Sequence, residues 1–104
     1  MTRIARDAAV MKYVLFYEAA DDYMEGARAN FAEHQERFLE FHRRGDLLMI
    51  GPFMDGSGDA MAVFTSRESA EEFATGDPFV IKGVVRSWRI REWNEPLVPL
   101  GAED

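Results

Sequence analysis

One stretch constrains this chain more than any other: residues 27–45. Read at about 100° per residue, it is an amphipathic helix. Ala27, Phe31, His34, Phe38 and Phe41 follow one another at alternating spacings of four and three, which keeps all five on one face. Glu33, Glu36, Arg37, Glu40, Arg43 and Arg44 fall away from that face, as on a solvated side. Gly45 is placed to stop the helix, as a glycine just past a C-terminus commonly does. The stripe is expected to face the core. It therefore puts an imidazole, which titrates near neutral pH, among phenylalanines.

The flanking segments supply strands. Tyr13–Tyr17 is a continuous apolar, aromatic run and reads as a strand buried on both faces. Glu18–Gly26 reads as an acidic loop leading into the helix. Leu47–Phe53 is a second strand, and the turn-rich Asp55-Gly56-Ser57-Gly58 connects it to a third, Ala60–Phe64. Thr65-Ser66-Arg67-Glu68 has capping-box spacing and opens a second helix carrying Ala70, Phe73 and Ala74, ended by Gly76. After the corner Asp77-Pro78-Phe79, Val84–Trp93 is a fourth strand with Trp88 and Ile90 on one face and Ser87, Arg89 and Arg91 on the other.

The order β-α-β-β-α-β is the ferredoxin-like α+β pattern: a four-stranded antiparallel sheet, strands one and three central, both helices on one face. The other face is then bare, although the first two strands are apolar on both alternating sets of positions. An apolar patch of that size predicts a second copy packed sheet to sheet, a homodimer through the open face.

The chain has 104 residues, enough for one domain. Met11 opens the first strand. Met1–Val10 is therefore expected to be an extension outside the fold, with residues 11–95 as the domain and 96–104 as a tail. The formal net charge of -7 argues against nucleic acid and anionic membranes as partners. No apolar run approaches the roughly 20 residues that span a bilayer. Cysteine is absent, so there is no disulfide and no thiolate site. A cytoplasmic location is the expectation compatible with this.

Two residues stand out as chemistry-bearing. His34 reads either as a core histidine bonded to backbone groups or as a general acid or base, since an ordinary imidazole pKa near 6.5 suits proton transfer. Asp77 reads either as an N-cap ahead of Pro78 or as the carboxylate that orients such a histidine. The two roles can coexist on two oxygens. Spacing alone does not bring Asp77 to His34. His42 reads as a helix-end histidine beside Arg43 and Arg44. It is offset from His34 by about 80° and about 12 Å along the helix, so no metal pair is expected. No metal or organic cofactor is expected either.

The segments His34-Gln-Glu-Arg-Phe-Leu, Gly45-Asp-Leu-Leu-Met-Ile-Gly51-Pro52 and Asp77-Pro78-Phe79-Val80-Ile-Lys-Gly83-Val84 together resemble the YciI-like (YCII-related) family over Met11 to Trp93. The resemblance implies a ferredoxin-like fold paired into a dimeric α/β barrel. It also implies a pocket whose histidine and aspartate, here His34 and Asp77, form an acid–base dyad. Its relatives include a dehydrochlorinase of a hydroxylated, chlorinated aromatic, and muconolactone isomerases share the broader fold. One position departs from the family: the arginine often found one turn before the histidine is Phe31 here. Binding of an anionic group would then fall to Arg28, about 120° around the helix, or to Arg89 or Arg91.

The expectation is a cofactor-independent enzyme of isomerase or lyase type acting on a small cyclic or aromatic metabolite. His34 and Asp77 would be catalytic, and Arg28, Phe31, Gly51, Pro52, Phe53 and Phe79 would contact the substrate. The alternatives are a small-molecule-binding or accessory module without turnover and a cofactor-free monooxygenase.

Overall fold

The computed structural model describes residues 11–98. The expected Met1–Val10 extension and the last six residues of the tail lie outside the described residues. The elements are β1 (Met11–Ala19), α1 (Tyr23–Arg43), β2 (Leu47–Pro52), β3 (Ala60–Phe64), α2 (Arg67–Gly76), the single-turn α3 (Pro78–Ile81) and β4 (Val85–Asn94). They form one antiparallel sheet in the order β2-β3-β1-β4, a ferredoxin-like α+β fold with β1 and β3 central. Among the described residues no helix is long and apolar enough to cross a membrane.

Register explains the core. Leu15 pairs with Ala62 on one side and Ile90 on the other, and Tyr13 pairs with Phe64. Residues directly opposite share a face, so Tyr13, Leu15, Tyr17, Ala62 and Phe64 form a single apolar surface. The helices close over it through Phe41, Ala70, Phe73 and Ala74. Phe41, Phe64 and Phe73 meet pairwise, with ring centroids 5.2 Å (Phe41–Phe73), 5.4 Å (Phe64–Phe73) and 6.5 Å (Phe41–Phe64) apart. Each such pair adds about 0.5–1.5 kcal/mol beyond burial.

The opposite face carries Val14, Phe16, Met61, Val63 and Met49. Val14 and Val63 are buried, Phe16 and Met61 are half-buried and Met49 is exposed. Arg89 and Arg91 flank this surface from the edge strand β4, paired with Phe16 and Val14. Lys12 is also buried on this side of β1. Its Nζ donates to the carbonyls of Glu95 and Val98 and lies 3.3 Å from Glu95 Oε1. The start of the tail is thus tied back onto the sheet.

Several local expectations need correction. The segment read as a loop, Glu18–Gly26, is divided between the end of β1 and the first turn of α1. Gly26 lies inside the helix, at a point where a Cβ would meet Val84 Cγ2 at 2.8 Å. The cap of α2 is Ser66, not Thr65: its hydroxyl accepts from Ser69 N. Phe53 falls just outside β2, and β4 runs one residue later than expected at each end. Arg37, placed on the solvated side, instead lies against α2. Gly45 does end α1, at φ 86°, with Asp46 N bonded to Phe41 O and Gly45 N to His42 O. That pair of bonds is the Schellman closure, a backbone conformation that favours glycine.

The stripe on α1 divides into two halves. Phe41 is 2% exposed and sits in the core, whereas Phe31 is 46% exposed. The first half of the helix overhangs a hollow instead of capping the core.

Candidate active site

That hollow is a cavity of about 500 Å³ between the first half of α1 and the helix-facing side of the sheet. β1 supplies Leu15 and Tyr17, β3 supplies Ala60 and Ala62, and α1 supplies Ala27, Phe31, His34 and Phe38. The end of β2 supplies Gly51 and Pro52 and the hairpin after it Phe53 and Met54, at the mouth, while Phe79 closes the side formed by α3. The mouth depends on one close approach. Gly58, at φ 83°, lies against the Tyr23 ring, and a Cβ there would sit 2.6 Å from it.

His34 is 7% exposed and is the one histidine in the described lining. Its Nδ1 lies 2.9 Å from Asp77 Oδ1 and 3.1 Å from Oδ2. A carboxylate only accepts, so Nδ1 carries the proton and donates it. Nε2 has no hydrogen bond among the described residues, yet no buried side-chain nitrogen or oxygen there is left without a partner. Nε2 is therefore the ring atom that is neither bonded nor sealed off, on a side chain that lines the cavity. The ring lies parallel to Phe79, with centroids 3.9 Å apart and planes 5° apart, and Phe38 meets it edge-on at 5.2 Å. Rotation of the imidazole is blocked from two sides.

Asp77 is fully buried and owes its place to a corner between helices. It is the C-cap of α2 and the N-cap of α3, where Pro78 takes the first position and Phe79 N donates to Oδ1 at 3.1 Å. The capping and orienting roles coexist on one side chain. The third partner is Tyr17, one of three tyrosines that could donate a hydrogen bond but read first as packing: its hydroxyl donates to Oδ2 at 2.6 Å. Burial pushes the Tyr17 phenol well above its ordinary 10, and the negative Asp77 beside it pushes the same way. Tyr17 therefore stays protonated and donating across the physiological range. A strand tyrosine carries no sequence mark separating this role from packing.

Of the residues expected to contact a ligand, Phe31, Gly51, Pro52, Phe53 and Phe79 line the cavity with His34. Arg28 does not: it is exposed and outside the lining, on the side of α1 turned to solvent. Arg89 and Arg91 are on the opposite face of the sheet, where Arg89 covers the Phe16 ring at 4.9 Å. The described lining holds no lysine, arginine, aspartate or glutamate. His42 is exposed, and its Nδ1 meets Leu47 O at 2.8 Å.

A sheet with helices on one face, and a cavity beneath the longer helix, places the chain among ferredoxin-like α+β proteins with a ligand-sized pocket. More narrowly, the YCII-related domain matches residues 11–94, and the chain belongs to that family. No curated protein matches the sequence significantly. Among solved structures it is similar to 5-chloro-2-hydroxyhydroquinone dehydrochlorinase from Burkholderia phenoliruptrix, in complex with 2,5-dihydroxybenzoquinone. That match has a TM-score of 0.68 and 13% identity over 79% of this chain and 92% of that one. A candidate antibiotic biosynthesis monooxygenase from Nitrosomonas europaea gives 0.58 and 11%, over 89% and 96%. A conserved protein from Methanosarcina mazei gives 0.54 and 8%, over 88% and 98%. At such identities these likenesses show the fold alone.

Proposed function

We propose that this protein is a cofactor-independent acid–base enzyme of isomerase or lyase type, acting on a small cyclic or aromatic metabolite. One observation carries the reading. A fully buried carboxylate fixes His34 Nδ1 as the donor, and Nε2 is left open on an apolar cavity. In that tautomer Nε2 takes a proton from the substrate, and Asp77 complements the imidazolium that forms. Returning the proton to another ring atom completes an isomerisation, whereas loss of a leaving anion completes an elimination. The stacked Phe79 and the neighbouring Phe31, Phe38 and Phe53 suit a flat, mostly apolar ligand. The dehydrochlorinase of similar fold, crystallised with a dihydroxybenzoquinone, agrees with a ring-shaped ligand. In the same reading, the apolar face of the sheet pairs with a second copy to form a homodimer.

A second reading is binding without turnover. It is favoured by the described lining, which offers no cation to stabilise negative charge on a reacting substrate. The two separate in one experiment. Small phenols and lactones that raise the melting temperature are incubated with the wild type and with His34→Gln, and product is measured. Acid–base catalysis predicts turnover in the wild type and a loss of about 10²- to 10⁴-fold in the variant. Equal turnover by His34→Gln overturns the enzyme reading, and tight binding with no product in the wild type selects the binding module.

A further inference from the structure

The corner that carries Asp77 touches α1 at two rungs. The first is His34, on Asp77 and Phe79. The second is Arg37, three residues further along the helix. Arg37 Nε donates to Phe73 O at 3.1 Å, and a terminal nitrogen donates to Glu72 O at 2.7 Å. The guanidinium lies over two core rings, 4.9 Å from the Phe41 centroid and 5.7 Å from that of Phe73. A Cβ on Gly76 would come within 2.4 Å of a guanidinium nitrogen. The residue immediately before Asp77 must therefore be a glycine for Arg37 to seat where it does.

Phe73 O is one of the last four carbonyls of α2, which lack an amide partner in the helix, and Glu72 O, which also accepts from Thr75 Oγ1, has a second lone pair; a planar fork can grip both in one fixed geometry. The gripped carbonyls lie four and five residues before Asp77, little more than one helical turn away. A slip of that turn along α1 would displace the carboxylate, and a displacement of about 1 Å is enough to spoil an aligned catalytic contact.

We propose that Arg37 is a positioning residue, which clamps the final turn of α2 to α1 and so holds the Asp77 carboxylate within bonding range of His34 Nδ1. Its bearing on catalysis rests on the acid–base reading. The geometric claim does not, and is read without turnover.

The chain has two histidines, so each can report separately. Nitrogen–proton correlation spectra of the rings, and amide hydrogen exchange, are recorded for the wild type and for Arg37→Met, which keeps an apolar stem over Phe41. The clamp predicts that the His34 Nδ1–H signal broadens or shifts, while His42, bonded to Leu47 O, is unchanged. Exchange of the Phe79 amide, whose acceptor is Asp77 Oδ1, should speed up about tenfold relative to amides in the paired strands. If His34 and Phe79 match the wild type in the folded variant, or if strand amides accelerate equally, the proposal is overturned. Should Arg37→Met not fold, Arg37→Lys keeps the charge but not the fork, and the same selective changes are expected at smaller size. Their absence there also overturns the proposal. A protein that binds without turnover would leave this result untouched, whereas an active protein with an unperturbed His34 in the variant would sink the clamp alone.

Discussion

Helix α1 carries two histidines, eight residues apart, and the fold treats them in opposite ways. His42 is exposed and anchors its Nδ1 on the carbonyl of Leu47, five residues away at the start of the next strand. His34 is buried and anchors its Nδ1 on a carboxylate 43 residues away in sequence. A carbonyl has no formal charge to offset a protonated ring, so His42 is fastened in place and nothing more. A carboxylate holds the ring and also complements the charge it would gain on taking a proton. Residue type and helix are the same, so the difference comes wholly from what the rest of the chain brings to each ring.

The contrast breaks most completely at Asp77. Asp77→Ala strands the His34 Nδ1, the Tyr17 hydroxyl and the Phe79 amide in a buried place. A loss of about 3–5 kcal/mol in unfolding free energy is expected, measured by urea denaturation, together with loss of any turnover. Tyr17→Phe removes one charge-assisted bond from Asp77 and should cost about 1.5–3 kcal/mol. It also sharpens the comparison through pH. The Tyr17 phenol holds its proton more tightly folded than unfolded. Its contribution is complete below the unfolded value of about 10 and is lost as pH rises above it. The wild type should therefore lose stability in the alkaline limb more steeply than Tyr17→Phe. At the small end, His42→Gln should change stability by no more than about 0.5–1 kcal/mol and leave any activity intact. A large activity loss in that variant would erase the distinction between the two rings.

Much of the architecture is legible in the residues. Glycine and turn clusters separate the strands, and the Phe31–Phe41 spacing marks the main helix. The start of that helix is not legible. Asp21, Asp22 and Gly26 look like loop residues, and only the approach of Val84 shows why a glycine belongs inside the helix. Within the site, His34 is conspicuous because it interrupts an apolar stripe, and Asp77 because it precedes a proline. Their adjacency is not readable from spacing. It was implied by likeness to a family and depends on how α2 ends. Tyr17 and Arg37 are invisible for a shared reason: each has an ordinary local explanation, a strand aromatic and a solvated helix charge. Their partners lie 60 and, at most, 36 residues away. Arg28 misleads in the opposite sense, since proximity on a helical wheel says nothing about which side the cavity opens on.

Asp77 terminates one helix, starts another, accepts a tyrosine and aligns a histidine. Closing the corner between the two helices and holding the His34 ring thus draw on one carboxylate. A residue here that cannot accept these bonds would lower the amount of folded protein whatever the cavity is used for.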